Sequence, residues 1–459
     1  MFVASIPGLA FAGSMSHLAV AGTWDTIFYL VGTGQTSAQV RFSQFGDNGN
    51  PLSTTLKFPQ QPSSSALLAS SIDRSISPNS LLVVDSTGLD SQPVQAGSAR
   101  LAAAGKVDGF AIFRTKASGQ EAAVPLETRN ASSYLLAFDN TGGVATGVAI
   151  DNISAQTANV LVIIRDDTGA QIGSDSIPLA GNGHSAFVLA SQYPVTANKR
   201  GAIEIFTPLA GPVSVLGIRV TPTGAMTTIP ALANVTAAGG SMTHVASGGG
   251  WKTIIVLINA GTAAAQAHLR MFDDSGNPLS LPLSFPQGGN STSGSSLDRT
   301  LAANQMLVVE SMGPISFPLH TGSVQFTTDG SVSGFGILRY EPSGQEAVVP
   351  LESRRASAYL LAFDNTGGIA TGIAVNSVSS QPLTVPVVIR DDTGAQIETG
   401  SITLAANSHT AFVLASQFPV TADISGTMEF DIPLGGQVSA LGIRASPRHT
   451  FTTLPTLVK

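Results

Sequence analysis

Two stretches set a histidine in the same surroundings, GNGHSAFVLASQYPVTA at 181–197 and ANSHTAFVLASQFPVTA at 406–422. His184 and His409 are candidates for contact with a ligand or partner. Asn182 and Asn407 precede them by two residues, and Tyr193 in the first copy is a loop aromatic able to stack on a sugar. A metal site needs three or four convergent ligands, and the neighbouring sequence offers no second His, Cys or carboxylate. Ser185 and Thr410 adjoin the histidines, but adjacent residues of a strand point to opposite faces. The expectation is therefore a loop histidine bonded to the backbone of its own turn, with surface contact as the functional alternative. Aligned against Asn304-Gln305-Met306, the pair His409-Thr410 reads as a two-residue insertion.

Acidic turns recur as FGDNGNPL at 45, FDDSGNPL at 272, and RDDTGAQI at 165 and 390. Asp166, Asp167, Asp273, Asp274, Asp391 and Asp392 could hold calcium between adjacent domains. An EF-hand-like loop, however, alternates oxygen ligands over about twelve positions and closes on Glu, a pattern these turns lack. Asn, Asp and Gly tolerate positive φ, so each motif is foremost a hairpin turn. No other cofactor is expected.

Trp24 and Trp251 occupy matching positions where the other quarters align Val144 and Ile369, which points to core packing instead of a glycan platform. Arg114, Arg219, Arg339 and Arg444 each end a strand. Pairing with a nearby carboxylate such as Glu121 or Glu346 would be worth about 0–1 kcal/mol if exposed. No nucleophile elbow, zincin, P-loop or dinucleotide fingerprint occurs. Paired carboxylates for glycoside hydrolysis need no fixed spacing, but those present sit in repeated turns. The expectation is a protein that is not an enzyme.

The elements that must position these residues follow from a repeat. SSYLLAFDNTGGVATGVAI returns as SAYLLAFDNTGGIATGIAV 225 residues later (Tyr134 to Tyr359), and HLAVAGTWDTIFYLV at 17 as HVASGGGWKTIIVLI at 244. Each long unit halves again, because a Gly-led strand pair ending in Arg occurs four times. Short runs rich in β-branched and aromatic residues, punctuated by Gly, Asn, Asp and Pro, predict strands throughout. The expected fold is all-β, with four tandem antiparallel sandwiches of immunoglobulin or fibronectin type III shape in the order a-b-a-b. Their expected limits are 1–122 (a1), 123–227 (b1), 228–347 (a2) and 348–459 (b2).

The combination of WxTxxxLxN, FDDxGNPL, NGH[ST]AFVLASQ-[YF]P and a closing LGIR resembles Ig-like β-sandwich repeats of large secreted proteins of soil bacteria, acidobacteria especially. The resemblance spans essentially the whole chain and implies an extracellular or cell-surface setting, with any export signal lying upstream. It brings no catalytic residues.

Composition narrows the partners. The chain is 11% charged with a net charge of −7 and has no Cys. The absence of a basic cluster disfavours nucleic acid, and no apolar run approaches the ~18 residues of a membrane helix. Expected partners are copies of the chain itself or extracellular polymers, in a structural or adhesive role. The alternative is a polysaccharide-binding accessory module. An apolar-Pro-apolar segment stands at 5, 124, 229, 349 and 454, five connectors for four domains. That surplus suggests either a piece of a longer array, with a further domain after Lys459, or a terminal strand completing an edge in its own domain or in another molecule, the last of which would build head-to-tail filaments.

Overall fold

The computed structural model describes residues 8–209, 211–233, 235–236 and 239–459. It is all-β, with 60% strand and 3% helix, in antiparallel sheets stacked as sandwiches. In a1, Ala10–Val20, Gln95–Ala104, Ala38–Gly46 and Ser71–Ile76 form one sheet. The facing sheet runs Glu121–Pro125, Val107–Thr115, Trp24–Gly32, Leu81–Thr87, Thr54–Lys57 and Leu67–Ala69. In b1, a sheet centred on Arg200–Phe206 and Ser133–Asp139 faces one built from His184–Val188, Ala145–Asn152, Val213–Val220 and Met226–Ile229. No helix among the described residues is long and apolar enough to cross a membrane.

Trp24–Gly32 and Trp251–Asn259 are nearly continuous in apolar residues, where a strand facing water on one side would alternate. Both of their faces are buried. Phe28 and Leu30 point into the a1 core, whereas Ile27, Tyr29 and Val31 pack among residues of b2. Ile255 and Leu257 likewise enter the a2 core, and Ile254, Val256 and Ile258 pack into b1. Burying each such side chain contributes about 1.5–3 kcal/mol. In the b sandwiches, Ala149 and Ala374 face the preceding a core, their small side chains letting the sheets approach.

The apolar-Pro-apolar segments prove to be closing strands of the preceding sandwich and not linkers. Glu121–Pro125 pairs with Val107–Thr115, and past Pro125 the chain bridges Glu127 to Ser14 in the opposite sheet. Met226–Ile229 pairs with one b1 sheet, and after Pro230, Leu232–Ala233 pairs with the other. Gln345–Glu352 joins both a2 sheets around Pro350. Phe451–Leu454 and Leu457–Val458 do the same in b2 on either side of Pro455. Proline has no N–H for a ladder, so it marks where each strand leaves one sheet for the other. The expected domain limits at 122, 227 and 347 fall inside these strands. The C-terminal segment completes an edge in its own domain, against Tyr359 and Leu360. The fifth segment, at 5–7, lies outside the described residues.

The four closing strands meet in a closed circuit, a1 against b1, b1 against a2, a2 against b2, and b2 back against a1. The Thr228 hydroxyl donates to the Ala123 carbonyl and Thr453 to Val348, tying each b closing strand to that of its a sandwich. The tandem array is thus a ring.

Candidate functional site: four equivalent junctions

Each acidic turn plugs into the next sandwich around the ring. The backbone carbonyls of Asp47, Asp167, Asp274 and Asp392 accept hydrogen bonds from the N–H groups of His184, Met306, His409 and Leu81, at 3.1, 3.1, 3.4 and 2.9 Å. The acceptor is always the second turn residue, and the donor always opens a strand. At the third residue of each receiving turn, two before the donor, the chain passes through an Asn with φ near +60, namely Asn79, Asn182, Asn304 and Asn407. His184 and His409 therefore stand in register with Leu81 and Met306. The expected two-residue insertion does not exist, because these four Asn turns define a common alignment.

Geometry leaves no room for a side chain at the plug tip. A Cβ on Gly49, Gly169, Gly276 or Gly394 would lie 2.0–2.6 Å from a carbonyl oxygen of the neighbouring sandwich, and all four residues have φ of +80 to +90. The Asp-Asp pairs divide their tasks. Asp166, Asp273 and Asp391 accept N–H groups of their own turns. Asp167, Asp274 and Asp392 reach across the junction to Gln287, His409 and Gln60 respectively. The six candidate calcium aspartates consequently do not converge, and among the described residues no group of three or more His, Asp or Glu side chains is arranged to hold a metal ion.

At the two a–b junctions the cross-contact is a relay. Asp47 Oδ1 lies 2.8 Å from His184 Nδ1, and His184 Nε2 lies 3.2 Å from His17 Nδ1. Asp274, His409 and His244 repeat this at 2.9 and 2.8 Å. An ionised carboxylate only accepts, so Nδ1 of His184 carries a proton; with both rings neutral, its Nε2 then accepts from Nδ1 of His17. The second histidine and the carboxylate come from the a sandwich, 167 and 137 residues away in the first copy. Instead of lying on a surface loop, His184 and His409 are 3% exposed. Burial, then the neighbouring imidazole of His184, depresses His17 to about 3. His244 falls to about 3 for the same two reasons, against the opposing pull of Asp274. Burial also lowers His409, with Asp274 opposing.

Around the first relay, Asn182 Oδ1 accepts from Arg100, which also reaches Asp151 at 3.3 Å beneath Ser98. Burial raises the Asp151 carboxyl, with Arg100 opposing. The second copy holds Gln325, Asn376 and Ser323 at these places, and Gln325 Nε2 donates to Asn407 at 2.9 Å. The charged Arg100 and Asp151 of one junction are thus replaced by neutral amides in the other.

At the b–a junctions arginine takes this role. Arg219 Nε donates to Glu346 at 2.8 Å and Arg444 Nε to Glu121 at 3.0 Å. The b-domain arginines thus reach into the next sandwich, where pairing inside their own was expected. They are buried, so the exposed-pair estimate does not apply to them. Arg339, as expected, stays with Glu346 of its own sandwich at 3.6 Å, and Arg114 lies 3.9 Å from Asp25. Strand register pairs Trp24 with Thr115 and Ala145 with Val220, so the b counterparts of the tryptophans are Ala145 and Ala370, not Val144 and Ile369. Trp24 stacks 5.7 Å from Phe113, and Trp251 lies 5.0 Å from Tyr340.

Tyr193 follows the helical turn Leu189–Gln192 and stays away from the junctions. Its hydroxyl donates to Asp175 at 3.1 Å, and its ring meets Phe187 edge-on. Sequence reasoning missed His17, His244, Asp47, Gln60 and Gln287. The matched HLAVAG and HVASGG segments already carried His17 and His244 in parallel.

No protein-family model matches the sequence, and neither does any curated protein. Among solved structures, the major pilin protein (T3.2) of Streptococcus pyogenes serotype GAS13637 aligns at 9% identity and a TM-score of 0.11, over 71% of this chain and 98% of that one. Trypsin-activated alpha-2-macroglobulin from Escherichia coli aligns at 9% identity and a TM-score of 0.11, over 92% of this chain and 37% of that one.

Proposed function

We propose that the chain is a non-enzymatic extracellular structural or adhesive protein whose four sandwiches act as one ring. The supporting observation is the employment of the histidines, turn aspartates and loop asparagines, the best chemical candidates in the sequence, as junctions between sandwiches. The head-to-tail contact that would build filaments between molecules is made within one chain, from b2 to a1. Adhesion then falls to the outer surface. Both b sandwiches expose the same apolar residues there, Val188 and Val413, Val195 and Val420, Leu209 and Leu434. Two like sets of exposed apolar residues on one body raise avidity without a new kind of contact.

The test is co-sedimentation of the full chain with whole bacterial cells and with insoluble polysaccharides, alongside a reducing-end assay on the same polymers. Saturable binding without product release is the expected result, and release of sugar ends would refute the reading. Loss of binding in Tyr193→Ala on polysaccharide alone would favour the carbohydrate-binding accessory reading, which the solvent-facing Tyr193–Asp175 pair supports.

A further inference from the structure

The relays hold protons in a fixed number. In each, two ring protons sit on the two Nδ1 atoms, one facing a carboxylate and one facing the partner imidazole. A third proton has two places to go. On Nε2 of His184 it keeps the 3.2 Å contact only if the His17 ring moves its own proton from Nδ1 to Nε2. On Nε2 of His17 it would create a cation on a ring that is 8% exposed and edge-on to Phe113 at 5.1 Å. The same alternatives face His409 and His244, whose nitrogens are 2.8 Å apart. The second keeps the Nδ1–H···Nε2 contact, because the added proton sits on the far nitrogen, but either placement puts a full positive charge into the seam between the a and b sheets.

We propose that the two relays are acid latches, so that proton uptake separates each b sandwich from its a sandwich and loosens the ring at those two junctions. The separation exposes the histidines to water, where imidazole takes a proton readily. Folded His17 and His244 resist protonation down to about 3, against about 6.5 for free imidazole. The open state therefore binds more protons than the closed one between those limits, and falling pH drives opening.

The two latches differ in their surroundings. His184 lies beside Asp47 and, in strand register, Asp151, whose partner is Arg100. A positive charge in this relay therefore has the buried Asp151 side chain beside it. His409 faces Asp274, but its register partner is the neutral Asn376, with Gln325 in place of Arg100. The a2–b2 latch thus tolerates an added proton less and opens first.

The experiment uses the full chain, wild type and the double variant His17→Gln/His244→Gln, in small-angle scattering and thermal unfolding from pH 7.5 to 4. The glutamine amide still donates to His184 or His409 and has no proton to gain. Wild type is expected to expand reversibly as pH falls below 6.5, its opening constant rising by up to roughly tenfold per pH unit per histidine. The variant should shift that transition down by about a pH unit or more. Parallel curves for the two proteins would overturn the proposal. Should the variant not fold, histidine Cε1–H resonances of wild type decide: titration of His17 and His244 above pH 6 with the native fold intact overturns it. Silence above pH 5 followed by expansion supports it.

Discussion

Arg444 is 1% exposed and meets two carboxylates, Glu121 at 3.0 Å and Asp364 at 2.9 Å, while the Tyr29 hydroxyl donates to Asp364. Burial works against the Asp364 carboxylate, yet Arg444 beside it holds its pKa below the usual range. Removing one member of such a group strands a buried charge, at about 3–5 kcal/mol. Glu121→Gln is expected to lower unfolding free energy by that amount in denaturant titration. Asp73→Asn, at the half-exposed Arg41 pair, should cost at most about 1 kcal/mol. Equal losses would show that the b2–a1 seam is not an energetic centre. At the plug tip, Gly276→Ala would drive a Cβ to 2.0 Å from the Ala406 carbonyl, whereas Gly142, at φ +58, has open space around it. Both substitutions incur the cost of positive φ. The first alone also forces the junction apart, so its melting temperature should fall further, and matching falls would refute the plug. The residue types in these sites were legible in the sequence. Their partners were not, because Arg444 and Glu121 lie 323 residues apart and no spacing rule reaches that far. A comparison of copies by pairs would have shown one link, since Arg100 and Asp151 change together to Gln325 and Asn376.

Strands were the most readable elements, because alternation and Gly/Asn/Pro punctuation are local. Ala38–Gly46 buries every second residue through most of its length, as a half-buried strand should. What the sequence obscured was the meaning of the prolines. A Pro between apolar residues reads as a linker, and only the pairing of both flanks with opposite sheets reveals a strand that closes a sandwich. The short helical turns Leu189–Gln192 and Leu414–Gln417 were also read as strand, since four residues are too few for a helical period. Deleting residues 456–459 tests the closing role. It removes buried Leu457, the ladder to Leu360, the Thr456 carbonyl that accepts from Arg354, and the Lys459 ion pair with Glu429. The expected loss is at least about 3 kcal/mol, together with faster amide exchange in Ala358–Asp364. Unchanged protection there would mean that the strand is dispensable.

At the scale of the molecule, the order a-b-a-b was legible but the ring was not, since a linear repeat does not say whether its last member meets its first. The surplus connector left open an edge completed in its own domain or in another molecule, and the structure seats the C-terminal segment in its own domain, against Tyr359 and Leu360. Closure makes a demand on the chain ends. In the first unit the chain leaves Leu232–Ala233 and enters a2 at Gly240, with six residues between. Leu457–Val458 stands in b2 as Leu232–Ala233 stands in b1, each pairing with the equivalent strand. Gly13 lies against Leu126 and Glu127 as Gly240 lies against Leu351 and Glu352. The gap from Val458 to Gly13 therefore equals one that six residues already span. A permuted chain with Lys459 joined to Gly8 has a bridge of that length, and its new ends can be placed between Ala233 and Gly240. Loop-closure entropy depends on loop length, and the exchange leaves that length unchanged. The permutant is expected to be monomeric in light scattering at the concentrations where the parent is, with an unfolding midpoint within a few degrees of it. If b2 and a1 met only loosely, the new covalent bridge would instead stabilise the seam and opening the b1–a2 linker would free two half-rings, and the permutant would unfold in two separated steps.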